Sequence, residues 1–312
     1  MPDTGQPERL LVIKLGALGD FVQAMGPAAA IRAHHREAEI TLLTSAAFAE
    51  LGRAAPYFDR VWIDERPGLC DPGGLWRLRQ RLRAGCFDRV YDLQTSSRSS
   101  WYFHLMGPDR YPEWSGIARG ASHRQRNPER DRLHTLDRQA DQLRLAGIDG
   151  VPAPDLSWAK EDIARFALPP RFVLLVPGGA SHRPEKRWPR PSYVALARRI
   201  AARGATPVVV GGRDEAELGL AVRTECGAAV DLTGKTSLGE IVGLGAAALY
   251  AIGNDTGPMH LIVAAGAPAT VLYSRASDPE LTQPRGHRVT ILRREDLAVL
   301  TLDEVAATLP LG

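Results

Sequence analysis

AALYAIGNDTGPMHLIVAAGAP, residues 247–268, passes from one apolar run to another through a short polar seam. The first run, ALYAIG (248–253), has the length of a strand and leads into Asn254, Asp255, Thr256 and Gly257. Pro258 stands where a first-turn proline belongs, because the N–H it lacks is one that a helix leaves unpaired. Asp255 or Thr256 can cap that helix by accepting from its free amides. A strand that ends in a polar turn and opens a helix is the repeating unit of a parallel α/β sheet, so this stretch sets the fold class. Capping needs only one polar side chain, yet an acid, a hydroxyl, a glycine and a histidine (His260) crowd the same seam. The backbone amides of Thr256, Gly257 and their neighbours are placed to form an anion cradle at the helix start. His260 faces either that cradle or the core.

The same unit recurs outward along the chain. LLVIK (10–14) is followed by GALGD and an alanine-rich helical stretch from Phe21 to His34. EITLLT (39–44), RVWID (60–64) and RVYDL (89–93) read as further strands, with helical WRLRQRLRAG (76–85) between the last two. The rhythm breaks over 147–170, where Gly147, Gly150, Pro152, Pro154, Pro169 and Pro170 suit an interdomain linker. It restarts with strand FVLLVP (172–177), helix PSYVALARRIAARG (191–204), strand TPVVVGG (206–212) and helices DEAELGLAVRTE (214–225) and SLGEIVGLGAAA (237–248). The pattern predicts an α/β protein of two Rossmann-like domains, 1–155 and 156–312, with parallel sheets facing across a cleft. The last helix is a candidate for packing back on the N-terminal domain. One continuous doubly wound sheet is the alternative, which the linker disfavours.

Composition narrows the function classes. A net charge of +3 over 312 residues implies no nucleic-acid partner. Three cysteines without CxxC spacing suit neither a disulfide scaffold nor a zinc site, and fit a reducing cytosol. The polar start MPDTGQPERL is not expected to be a signal peptide, and no apolar run approaches the ~20 residues of a membrane span. A cytoplasmic location follows as the expectation, with any membrane contact peripheral.

In parallel sheets ligands lie beyond the carboxyl ends of the strands, so the loops there carry the chemistry. KLGALGD (14–20) has Gly16 and Gly19 for close backbone approach, but its spacing is not the dinucleotide fingerprint. Asp20 reads equally as a helix cap or a catalytic acid. PGGASHRPEKRWP (177–189) joins a turn of Gly178, Gly179 and Ser181 to the cations Arg183, Lys186 and Arg187, which suit a phosphate. Trp188 offers an aromatic anchor for them. VVVGGRDEAE (208–217) places Gly211 before Asp214 and Glu215, which serve either as dipole partners of the helix or as acceptors for ribose hydroxyls. Arg119, His123, Arg124, Arg126, Arg130 and Arg132 form a basic run: a solvated face, or a binding surface for an acidic acceptor at a membrane.

These motifs, in this order, resemble glycosyltransferase family 9, the ADP-heptose:lipopolysaccharide heptosyltransferases. The resemblance spans nearly the whole chain: LVIKLGALGD, DLQTSSRS (92–99), LLVPGGASHRPEKRWP, DLTGKTSLGE and GNDTGPMHLIVAAGAPATVLYS. It implies the GT-B fold and inverting transfer from a nucleotide sugar, without a metal or further cofactor, to a lipopolysaccharide-core or other lipid-linked glycan at the inner membrane. By the same resemblance Asp20 is the general base and Lys186 a catalytic contact to the donor diphosphate. Gly178, Gly179, Ser181, Gly211, Glu215, Asp255, Thr256, Gly257 and His260 fall in the donor-binding motifs. Lys14, Gly19, Gln94, Arg124 and Arg126 are assigned to the acceptor. Another nucleotide sugar or acceptor, or a homologue that binds without catalysis, stays open. An epimerase or dehydrogenase is disfavoured, since no tyrosine precedes a lysine by four residues.

Overall fold

The computed structural model describes residues 7–68, 70–108, 111–179 and 183–311. The chain divides into two compact units, Met1–Ala153 and Pro154–Gly312, each built on its own six-stranded sheet. In the first unit the strands are β1 (Arg9–Ile13), β2 (Glu39–Thr44), β3 (Arg60–Ile63), β4 (Arg89–Asp92), β5 (Glu113–Gly116) and β6 (His123–Arg124). In the second they are β7 (Phe172–Val176), β8 (Thr206–Val209), β9 (Val230–Asp231), β10 (Tyr250–Asn254), β11 (Ala269–Tyr273) and β12 (Val289–Arg293). Every pairing is parallel.

The first sheet runs β3-β2-β1-β4-β5-β6 and the second β12-β11-β10-β7-β8-β9. Numbered within their own unit, both have the order 3-2-1-4-5-6, that of a doubly wound nucleotide-binding sheet. The order reverses between β1 and β4 in one sheet and between β7 and β10 in the other. Two α/β units with separate sheets are what the strand–helix alternation predicts; a single continuous sheet is excluded.

The central strands are apolar because helices cover both of their faces. All of β7 and β10 is buried, as is β1 from Leu10 to Ile13. In the first unit Leu11, Ile13, Tyr102, Phe103 and Trp114 share one core. In the second, Val173, Leu175, Trp188, Tyr193 and Ile252 share another. Gly253 is required where β10 passes β7: a Cβ there would lie 2.5 Å from Val176 Cβ.

Two expectations change. The alanine-rich helix begins earlier, at Leu18, and is two helices, Leu18–Gln23 and Met25–His34, meeting at Ala24. The stretch read as a linker is largely part of the second unit: Leu156 is fully buried with its amide on Ala264 O, and Glu161 accepts from Ser237 Oγ at 2.5 Å. The last helix, Leu302–Ala306, belongs to the second unit. Its Val305 and Ala306 complete the second unit's own core beside helix Arg190–Ala202.

Candidate active site

At the first switch point, the loop after β1 is fastened to the loop after β4. Gln94 Oε1 accepts from Leu15 N at 2.8 Å, and Lys14 Nζ donates to Leu93 O at 3.2 Å. Gly16 is needed here, because it adopts φ +129° and a Cβ would lie 2.7 Å from the Phe48 ring. Lys14 is buried, which pushes its ammonium below the usual lysine range. Asp20 pulls the other way, Arg138 pushes it further down, and Asp92 pulls it back.

Asp20 lies in the first turn of helix Leu18–Gln23, half-buried, and its carboxylate makes no capping bond. The N-cap is Ala17, so of the two readings of Asp20 the structure removes the cap. Among the described residues no backbone amide donates to this carboxylate. Gly19 precedes it in the same turn.

Asp92, which the sequence reading passed over, ends β4 with no exposed surface and accepts from Thr95 N at 2.9 Å and Gln94 N at 3.2 Å. Burial raises its carboxyl from 3.8 to about 6, against the pull of those amides and of Lys14. The folded protein therefore holds this proton more tightly than the unfolded chain. The stability it contributes is full below pH 3.8 and lost as pH rises through about 6, by roughly 3 kcal/mol. Urea unfolding of Asp92→Asn across that range should lack this loss. A wild-type-like slope would disprove the assignment.

The basic run divides in the fold. Arg124 ends the edge strand β6 with its Nε on Ile117 O, and Arg126 is exposed. Arg130, which was not singled out, instead reaches the switch point, donating to Thr95 Oγ1 at 2.6 Å and to Gln125 Oε1 at 2.7 Å. Thr95 is held at φ +46°, a conformation that β-branched residues resist, by these bonds to Asp92 and Arg130. Density of arginine was the signal in the sequence, but which one turns inward depends on the loop's course.

At the second switch point, Lys186 Nζ donates to Asp255 Oδ2 at 2.7 Å, with side chains only 14% and 10% exposed. Among the described residues one of the three ammonium N–H groups is thus used, which leaves two for an incoming oxyanion. Asp255, read as a donor contact, here holds the lysine in place. Asn254, absent from the sequence-based set, is the keystone. Its Nδ2 donates to Pro177 O and Gly178 O at 2.7 and 3.1 Å, while its Oδ1 accepts from Trp188 N and Tyr193 Oη, both at 3.0 Å. Trp188 is itself buried and donates to Leu300 O at 2.9 Å, so the aromatic does anchor the cationic loop. An asparagine at the buried end of a strand, directly before a glycine turn, was the available clue.

Asn254→Ala would strand several buried donors and acceptors at once. We expect a loss of roughly 3–5 kcal/mol in denaturant unfolding. A loss under about 1 kcal/mol would show the network to be dispensable.

The remaining predicted residues surround this pair. Glu215 lies over Gly178 and Gly211, where added Cβ atoms would come within 3.0 Å of it. Its Oε2 accepts from Gly212 N at 2.8 Å, and Arg187 Nη2 lies 3.8 Å from its Oε1. It caps its own turn, the first of its two readings, and also faces the glycine loops. Arg187 Nη2 also donates to Gly179 O at 2.6 Å. Thr256 is the N-cap of helix Gly257–Ala264, yet its hydroxyl makes no cap bond. His260 is buried within that helix. Ser181 lies outside the described residues. Among the described residues, no group of three or more His, Cys, Asp or Glu is placed to hold a metal ion, and no helix is long and apolar enough to cross a membrane.

Two doubly wound units, each on its own parallel sheet of order 3-2-1-4-5-6, have the build of GT-B transferases. The chain belongs to glycosyltransferase family 9 (heptosyltransferase), whose family model matches residues 75–305. It is 25% identical, over 91% of its own length and 88% of the relative's, to lipopolysaccharide heptosyltransferase 2 of Escherichia coli K12. The solved structure of the E. coli ADP-heptose lipopolysaccharide heptosyltransferase II superposes with a TM-score of 0.79 at 22% identity, covering 96% of this chain and 97% of that one. The E. coli heptosyltransferase WaaC with ADP gives 0.77 at 19% identity, covering 96% and 98%. At those identities the structures establish the fold.

Proposed function

We propose that this chain is an inverting heptosyltransferase that moves heptose from an ADP-heptose donor to a lipopolysaccharide-core acceptor. The observation that carries the reading is the Lys186–Asp255 pair, a cation at the switch point of the second sheet that is held by one bond among the described residues. It is supported by the family, by relatives named for lipopolysaccharide heptose transfer, and by a relative solved with ADP.

In this scheme the acceptor hydroxyl attacks the anomeric carbon in line with the bond to the diphosphate. The new C–O bond forms as the old one breaks, and the configuration inverts. The hydroxyl proton passes to Asp20, which no other group of the described structure occupies. Negative charge gathers on the leaving diphosphate, and the two free N–H groups of Lys186 stabilise it where it develops. Asp255 keeps that ammonium aimed, and Glu215 at the rim of the glycine floor takes the ribose hydroxyls. On the acceptor side, Lys14 and Gln94 hold the base-bearing loop in shape. Gly19 lets substrate approach it, and Arg124 and Arg126 offer charge to acidic groups of the acceptor.

A donor screen tests the reading. Nucleotide release should be stimulated by lipid acceptor from a heptose-deficient strain with ADP-heptose, and much less with UDP- or GDP-sugars. Acceptor-dependent release from a non-adenine donor alone would sink it.

A further inference from the structure

We propose that the exposed face of helix Pro72–Ala84 docks the first unit on an anionic phospholipid surface. The helix carries four arginines (77, 79, 81 and 83) and no acid, its one neighbouring carboxylate, Asp71, being used as the N-cap on Gly74 N. Leu78 and Leu82 turn into the core, so Trp76, Arg77, Gln80 and Arg81 share the opposite, exposed face. Trp76 is 61% exposed, a costly position for an indole in water and a favourable one at a bilayer interface. Among the described residues Arg77 has no acidic partner, and Arg81 lies over the Trp62 ring at 4.7 Å while bonding Ile63 O.

Beside this face is a hollow of about 290 Å³ lined by Ile63, Pro67, Leu78, Arg77 and Arg81, with Glu65 the only acid among the described residues lining it. Apolar side chains and two guanidinium groups lining one hollow are complementary to a phosphodiester headgroup and its acyl chains. The placement in the fold fits the same partner. The helix begins where β3 ends, on the carboxyl edge of the first sheet, so Trp76 and Arg77 in its first turns lie on the edge that also carries Asp20. The loop between β3 and the helix is tied to the loop after β1 through Arg66 Nη2 on Leu15 O at 2.8 Å. A surface that lies flat on the membrane here would present the base-bearing loop to a lipid-anchored acceptor. The inference deepens the acceptor half of the proposed function, but lipid binding is measured without donor or acceptor, so the two fail separately.

The experiment is vesicle flotation of the full chain with phosphatidylcholine alone and with added phosphatidylglycerol. Binding should require phosphatidylglycerol and fall with salt. Trp76→Ala combined with Arg77→Glu should lower the partition coefficient by about 10-fold or more, given the loss of one interfacial aromatic and reversal of one charge. Both positions are exposed, so the variant should melt like wild type. A control pair on another exposed helix face, Leu220→Ala with Arg223→Glu, should bind as wild type does. Equal binding to neutral vesicles, an unaffected Trp76/Arg77 variant, or self-association through this face in place of vesicle binding would each overturn the proposal.

Discussion

Asp20→Asn is expected to slow glycosyl transfer by roughly 10²–10⁴-fold, the usual worth of a general base, while donor affinity stays unchanged. The structure makes this substitution clean. Among the described residues the Asp20 carboxylate caps no helix and makes no ion pair, so an isosteric amide removes proton-accepting ability without removing a structural bond. Its electrostatic neighbour Lys14 will feel the change: Asp20 holds the buried ammonium up against desolvation, so losing its charge pushes that lysine further down. Single-turnover kinetics with calorimetry of donor binding would read both effects. Near-normal turnover in the variant would refute the base assignment.

Lys186→Ala has the second large expected effect, and it acts on two properties. Loss of charge-assisted hydrogen bonds should weaken ADP binding by about 100-fold, since each such bond is worth roughly 1.5–3 kcal/mol. The same change leaves Asp255, 10% exposed, without its cation, which should destabilise the fold by about 3–5 kcal/mol. Adding Asp255→Asn separates the two. The double variant should regain stability, because the buried charge is gone, but not affinity for ADP. Equal calorimetric affinity of wild type and Lys186→Ala would remove the lysine from the donor site.

The alternation of strand-length apolar runs with helical ones made the parallel α/β class legible, and KLGALGD, PGGASHRPEKRWP and GNDTGPMH marked the loops. All of them follow strands, and the structure puts the first after β1, the second after β7 and the third after β10. Several of the incomplete readings turned on bonds that only the folded chain makes. Asp20 looked as much like a cap as a catalyst, because a cap is defined by a bond that only coordinates reveal. Asp255 read as a ligand contact, whereas its first partner is a lysine 69 positions away. Asn254 went unremarked although it bonds residues 61 to 77 positions distant.

Local pattern alone was enough for the two α/β units and for placing glycine-bearing loops after their strands, because backbone propensity, capping and strand burial act over a few neighbouring residues. Tertiary structure alone decided which arginine of the basic run turns inward, that Lys186 is held by Asp255, and that Trp76 and Arg77 face outward on the edge that carries Asp20. Those outcomes depend on strand order. Placing β1 beside β4, and β7 beside β10, gathers side chains from loops far apart in the chain, and the free energy that fixes them there is paid by packing of the whole sheet.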